Sequence, residues 1–175
     1  ASSTSVYGQN DGERVDENSP TQPQGYSGEV MLRAERLLSD SDFPSVAIRF
    51  SGIYGSGRGS HLLEVLKQGR ICPIAPSRFS NRIHIDDCVG VIVFLIERYF
   101  AGILPKPLYV ASDRQPATLR EVMESLAQQA GIEWEGLKSD YLPNRGGNKC
   151  MVSDRLQSEG YVFRYPSFRE GYNLA

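Results

Sequence analysis

The stretch Y-S-G-E-V-M-L-R-A-E-R-L-L-S-D-S-D-F-P-S-V-A-I-R-F, Tyr26 to Phe50, carries two hydrophobic patterns in succession. Val30, Ala34 and Leu37 fall on one helical stripe with Met31 and Leu38 beside it. Ser27 stands where an N-cap belongs, so the spacing predicts a helix running to about Leu38. A turn containing Asp42 and Pro44 then gives way to S-V-A-I-R-F, Ser45 to Phe50, a nearly continuous apolar run of the kind found in buried parallel strands. Ahead of the helix, Ala1 to Tyr7 is small and β-compatible, which completes a strand, helix, strand unit. Between them Gly8 to Gly25 is polar, rich in Asp, Glu, Asn, Gln and Pro, and reads as a long loop of the kind that often carries function.

The same alternation continues downstream. Ile53 to Ser60 is a glycine-rich loop, His61 to Gln68 a short helix closed by Gly69, and Ile71 to Pro76 an extended segment. Arg82 to Ile85 alternates, and Asp86 and Asp87 precede the apolar run C-V-G-V-I-V-F-L-I, where carboxylates suit a helix start; that helix is expected over roughly Asp87 to Tyr99. Pro107 to Ser112 reads as another strand, and Thr118 caps a helix to Ala130 with Leu119, Val122, Met123, Leu126 and Ala127 inside. Alternating strands and helices argue for an α/β fold. The chain shows neither internal repeats nor low-complexity tracts, and Asn148 to Ala175 carries one helical hint, at Ser153 to Ser158.

Composition sets the outer bounds. The chain has 175 residues, 40% hydrophobic and 23% charged, with 19 basic against 21 acidic side chains. That is an ordinary globular composition, long enough for one domain with a real core. A formal charge of −2 and no Lys/Arg block leave no electrostatic footprint for a nucleic acid or an anionic membrane. The apolar run Cys88 to Ile96 is far short of the roughly 20 residues of a membrane span. Three widely spaced cysteines, Cys72, Cys88 and Cys150, and two histidines, His61 and His84, make a zinc site or disulfide framework an unfavoured reading. The amino end lacks a basic segment followed by an apolar run, which makes a reducing cytoplasmic location the default expectation. It also starts without Met on what reads as the end of a strand, as if inside a fold.

Taken together, S-S-T-S-V-Y-G at Ser2 to Gly8, Y-S-G-E-V-M-L-R-A-E at Tyr26 to Glu35, I-R-F-S-G-I-Y-G at Ile48 to Gly55 and R-I-H-I-D-D at Arg82 to Asp87 resemble the extended short-chain dehydrogenase/reductases, the NAD-dependent epimerase/dehydratase family. The likeness continues through Tyr109 to Ser112 and on to Glu170–Gly171, which resembles the family's terminal E-G motif. It implies a Rossmann-like doubly wound sheet, of which this would be the C-terminal part, with a small α/β substrate-binding region. Residues 1–55 would belong to the NAD(P)-binding domain, and 56–175 to the substrate-binding region with returning strands and helices of that domain. The family's glycine-rich turn, where backbone N–H groups and a helix N-terminus meet the cofactor pyrophosphate, has no counterpart in this sequence. The resemblance therefore implies a missing N-terminal cofactor-binding half.

It also implies chemistry with NAD or NADP on a sugar-like or other small hydroxyl or carbonyl substrate. The family uses a Tyr as general acid/base, a Ser/Thr hydroxyl on the substrate oxygen, and a Lys four residues after the Tyr that lowers the phenol pKa. Ser3 matches the hydroxyl and Tyr26 the acid/base, but the lysine position is Val30. Glu29 beside it would raise a neighbouring phenol rather than lower it, and Arg33 stands two turns on. A plainer role for Tyr26 is a hydrophobic staple onto Met31, with Glu29 pairing Arg33, and for Ser3 a hydroxyl capping a strand end. Thr4 and Ser5 occupy the places where sugar dehydratases carry Asp and Glu, which disfavours water elimination and leaves Thr4 as a substrate contact. Gly52 and Ser80 replace two residues that hold a nucleotide-sugar diphosphate, while Arg58, Arg78 and Arg82 could supply an anion site.

Phe50 and Ser51 follow the strand that lines the nicotinamide end and are expected to touch the cofactor. Arg49 and His84 read as structural, Asp86 and Asp87 as helix-start caps, and Cys88 as a small buried residue. Family members often dimerise through helices, which leaves a homodimer open. Three readings follow: an NAD(P)-dependent oxidoreductase or epimerase, a non-catalytic NAD(P)-binding sensor or scaffold that kept the fold and lost turnover, or a self-sufficient domain without any cofactor, which would fold cooperatively by itself. Against the third, the isolated chain is expected to expose a sheet edge and apolar surface.

Overall fold

The structure, a computed structural model, describes residues 1–56, 61–76, 78–143 and 147–172. In chain order its elements are β1 (Ser2–Ser3), β2 (Glu13–Val15), α1 (Tyr26–Ser39), β3 (Ala47–Phe50), β4 (Gly52–Tyr54), α2 (His61–Lys67), β5 (Arg70–Ile71), β6 (Arg82–His84), α3 (Ile85–Phe100), β7 (Leu108–Ala111), α4 (Leu119–Gln129), β8 (Lys138–Ser139), β9 (Lys149–Met151), α5 (Asp154–Ser158) and α6 (Phe168–Gly171). The central sheet is parallel, in the order β1-β3-β7, with Ser3 opposite Phe50 and Phe50 opposite Ala111. Three parallel pairs flank it: β2 with β9, β4 with β6, and β5 with β8. This is the α/β fold with parallel pairing that the alternation of elements predicts.

Strand alternation divides the central sheet into two faces. Ile48, Phe50, Tyr109 and Ala111 meet Cys88, Val91 and Leu95 of α3. Val110, with Val6, Tyr7, Val15 and Met151, meets Met31 and Leu32 of α1 on the other side. A third core, separate from the central sheet, joins Val65 and Leu66 of α2, Ile71 of β5 and Leu119, Val122, Met123, Leu126 and Ala127 of α4, the last five being the inner face read from the sequence. Thr118 caps α4 as expected, in a full capping box with Glu121.

The structure corrects several local readings. α1 begins at Tyr26 with Gly25 at the N-cap, and Ser27 lies inside the helix. Its inner face is also rotated: Leu37 is 75% exposed, whereas Gly28 is buried and Met31 and Leu32 face the core. The reason is a close approach, since a Cβ on Gly28 would lie 2.3 Å from the Ser5 carbonyl oxygen. The helix therefore seats on a glycine and, one turn beyond Leu32, on the carboxylate of Glu35, neither of which an apolar count registers. α3 starts earlier than expected, capped by the His84 side chain, whose Nδ1 accepts the Asp86 N–H at 3.2 Å. Of the extended segment from Ile71 to Pro76, only Ile71 pairs in a strand, together with Arg70.

Asp87 is not a cap. It is fully buried, and its Oδ1 accepts the Arg164 N–H and the Tyr161 hydroxyl, both at 2.8 Å, while Oδ2 accepts the Tyr165 N–H at 2.9 Å. The carboxylate thereby ties the segment before α6 to the start of α3. α6 then packs so tightly under β4 that a Cβ on Gly171 would lie 2.0 Å from the Tyr54 hydroxyl oxygen, which only glycine permits. No helix among the described residues is long and apolar enough to cross a membrane.

Candidate functional site

In open parallel sheets ligands bind beyond the carboxyl ends of the strands. Here those ends bring together Ser3 after β1, Ser51 after β3, and Ser112 and Asp113 after β7. The Ser51 N–H donates to the Ala111 carbonyl at 3.0 Å, which carries the ladder one residue past the strand. Its side-chain oxygen is buried and has no hydrogen-bond partner among the described residues. The Ser3 hydroxyl oxygen accepts the Ser5 N–H at 3.1 Å and so starts the short 3-10 turn Thr4–Val6. That bond uses a lone pair of the oxygen and leaves its proton to be donated elsewhere.

The other expected site residues are spread over different surroundings. Tyr26 is the first residue of α1 and 81% exposed, and Val30 one turn on is half-buried. Glu29 and Arg33 are both exposed. Thr4 is half-buried in the 3-10 turn. Phe50 is buried in the core beneath α3. Arg58 lies outside the described residues. Arg82 is 4% exposed, donating from Nε to the Ser80 carbonyl at 3.1 Å and from Nη2 to the Ser80 hydroxyl, with Nη1 left unpartnered among the described residues.

Two buried charge systems frame this edge. On the α1 side, Arg49 clasps Glu35 through Nε at 2.9 Å and Nη2 at 2.6 Å, and its Nη1 donates to the Tyr7 hydroxyl at 2.7 Å. Ser2 adds a hydroxyl bond to Glu35 at 2.5 Å, and Tyr7 passes its own proton to the Asp16 carbonyl at 2.8 Å. Burial alone would raise the Glu35 carboxyl, but the bonds from Arg49 and Ser2 outweigh it and hold the group below its ordinary value. On the β6 side, burial pushes the Asp113 carboxyl up to about 8 against the nearby Arg82 charge, and Asp87 and Glu170 push in the same direction as burial. Burial likewise lowers the pKa of Arg82.

Asp113 and the Glu35, Arg49, Tyr7 network were not singled out from the sequence as site residues. For Asp113 a signal existed: a carboxylate immediately beyond a strand buried on both faces sits at the ligand-facing end of the sheet. For the network there was none, because Glu35 reads as one more polar residue of an amphipathic helix.

The arrangement can hold a small polar group through hydroxyls at the sheet edge. A nicotinamide end would find Ser51, a buried hydroxyl without a partner, together with the Ser3 proton. It would find Val30 where a ribose-gripping ammonium would stand, and the described residues supply no phosphate-cradling turn after β1, β3 or β7. The residues present thus fit the polar end of such a cofactor and leave its remainder to other parts of a protein.

No family model matches the chain. Among solved structures it is 36% identical, over 98% of its length, to a protein of Methylobacillus flagellatus assigned to the NAD-dependent epimerase/dehydratases, with a TM-score of 0.78. It is 30% identical over 97% to a conserved protein of unknown function from Silicibacter pomeroyi, with a TM-score of 0.79. A UDP-glucuronic acid 4-epimerase of Bacillus cereus in complex with NAD shares the fold at 18% identity over 97% of this chain, with a TM-score of 0.75. The chain spans 60% and 62% of the first two structures and 56% of the third. A curated relative, a 3-diazoavenalumate denitrifying reductase of a Streptomyces species, is 26% identical over 107 residues, 58% of this chain and 34% of that protein.

Proposed function

We propose that this chain, which has the fold of the NAD-dependent epimerase/dehydratases over nearly its whole length, is the C-terminal, substrate-side part of an NAD(P)-dependent oxidoreductase or epimerase of the extended short-chain type. Its substrate is a sugar-like or other small hydroxyl or carbonyl compound. The observation that carries the reading is the pair of hydroxyls, Ser3 and the unpartnered, buried Ser51, at the carboxyl ends of neighbouring parallel strands in a chain 36% identical to such a protein. When bound, NAD(P) supplies the hydride acceptor or donor. Ser3 donates its proton to the substrate oxygen, Tyr26 gives or takes the proton that accompanies hydride movement, and Ser51 orients the polar end of the cofactor. Thr4 and the arginines Arg58 and Arg82 act on the substrate side. A separate N-terminal half supplies the rest of the cofactor site, and a homodimer of the whole protein in the cytoplasm completes the reading.

A second reading has its own support in Val30 and in the 81% exposure of Tyr26. On this reading the protein binds NAD(P) as a sensor or scaffold and turns nothing over. A fluorescence titration of NADH and NADPH into the longest natural form of the protein tests both. Saturable binding is expected on either reading, and its absence with both nucleotides overturns both. Tyr26→Phe then separates them: a loss of about 10²-fold or more in kcat/KM supports the enzyme, and unchanged turnover removes Tyr26 from the chemistry.

A further inference from the structure

Asp113 and Arg82 are joined through their backbones and not through their side chains. The Asp113 N–H donates to the Arg82 carbonyl at 2.8 Å, yet Asp113 Oδ2 and Arg82 Nη1 are both buried without a hydrogen-bond partner among the described residues. They are 5% and 4% exposed, so bulk solvent does not reach either group. Arg82 commits its other nitrogens to Ser80, and its guanidinium carbon lies 5.7 Å from the ring centres of both Phe168 and Tyr172. These rings belong to the C-terminal segment that closes over β4. Tyr172 stacks on Tyr54 at 4.4 Å, and the Tyr54 hydroxyl donates to the Ser167 carbonyl at 3.3 Å.

The groups acting on the Asp113 carboxyl come from every neighbouring element: Tyr54 of β4, Arg82 of β6, Asp87 of α3, Glu170 of α6 and Tyr172 beyond it. Arg82 is the cation among them. Burial raises the Asp113 carboxyl to about 8, so near neutral pH it is mostly the uncharged acid and exerts little pull on the guanidinium. Ionised, it would be a buried anion beside a buried cation with a free N–H, an arrangement that favours closing the pair.

We propose that Arg82 and Asp113 form a charge latch on the C-terminal segment. With Asp113 neutral, Arg82 stays bound to Ser80 and against the rings of Phe168 and Tyr172. Once Asp113 ionises, the guanidinium turns to it, the two ring contacts are lost, and residues 167–172 loosen over β4. The latch does not depend on the proposed enzyme activity.

Hydrogen–deuterium exchange of residues 167–172 in the full protein, normalised for the intrinsic rate, tests it. Protection is expected to fall about tenfold between about pH 7 and about pH 9, within the limit of tenfold per pH unit that one linked proton allows. In Asp113→Asn the normalised rate should stay flat. Ser80→Ala, which loosens the resting position and keeps the carboxyl, should move the midpoint to lower pH and carries the test if Asp113→Asn does not fold. A flat profile in the wild-type protein, an equal fall in Asp113→Asn, or an unmoved midpoint in Ser80→Ala would each overturn the latch.

Discussion

Arg49 on β3 and Arg82 on β6 both end in buried surroundings within reach of a carboxylate, and they are held in opposite ways. Arg49 donates three bonds to Glu35 and Tyr7, and the pair is strongly ionic: the Glu35 carboxyl is held down and the Arg49 pKa is held up by their mutual bonds, against burial. Arg82 is turned to Ser80, Asp113 is left without its bond, and burial prevails over charge at both groups. The difference is one of geometry. Glu35 approaches from a helix across the sheet, where a long side chain can meet the guanidinium fork face to face. Asp113 follows the end of β7, and its short side chain leaves from a backbone already bonded to that of Arg82. The same pair of residue types thus makes a fixed strut in one place and a titratable element in the other.

Breaking the strut should have the largest effect. Arg49→Met leaves Glu35 buried without its cation and should cost about 3–5 kcal/mol in urea denaturation, whereas Arg49→Met with Glu35→Met should recover much of it. Recovery would confirm that the loss comes from an orphaned charge; none would mean that Arg49 matters mainly through Tyr7. Asp87, a third buried carboxylate, which accepts bonds from the neutral Tyr161 hydroxyl and the Arg164 and Tyr165 N–H groups, sharpens the contrast. Asp87→Asn turns one acceptor into a donor facing backbone N–H groups, and a loss of about 1.5–3 kcal/mol is expected.

The two systems should also respond to pH with opposite slopes. Glu35 is depressed in the folded state, so its contribution is present above the ordinary carboxylate range and is lost as pH falls through its folded value. Asp113 is raised, so the folded state holds its proton more tightly than the unfolded chain, and stability declines as pH rises from the ordinary value of 3.8 to about 8. The decline is at most about 1.4 kcal/mol per pH unit. Denaturation midpoints across that range should fall in the wild-type protein and lose this slope in Asp113→Asn. At the small end, Thr118→Ala removes an exposed capping box and should cost about 1 kcal/mol with no dependence on either arginine. A much larger loss would show that α4 couples to the buried charges.

The outline of the fold was legible because it rests on local patterns. Alternating apolar runs placed β3, β7 and α4 within a residue or two, and Thr118 announced its own helix. The motifs from Ser2 to Gly8 and from Arg82 to Asp87 pointed to the family whose fold the chain has. What misled was the α1 face, where Leu37 reads as core and is exposed, because the seat against the sheet is made by Gly28 and Glu35. Asp86 and Asp87 read as the cap of α3 although His84 performs it, since polar residues on either side of Ile85 are equally plausible by type at a helix start. Of the site residues, Ser3 and Ser51 are placed on neighbouring strand ends, and nothing in the sequence indicated that Ser51 would lack a partner.

Periodicity and turn chemistry act between residues a few positions apart, so the sequence by itself determined the alternation of β1, α1, β3, α2, α3, β7 and α4, the α/β class and the lack of an ammonium after Tyr26, whereas the short strands β2, β4 and β9, in stretches that read as loop or without pattern, exist only through pairing with distant segments. Whether a buried charge is paired depends on the direction from which another element arrives. Glu35 meets Arg49 across 14 residues, and Asp113 lies beside Arg82 without bonding it across 31, and only the packed structure decided which of the two became a salt bridge and which an unpaired acid.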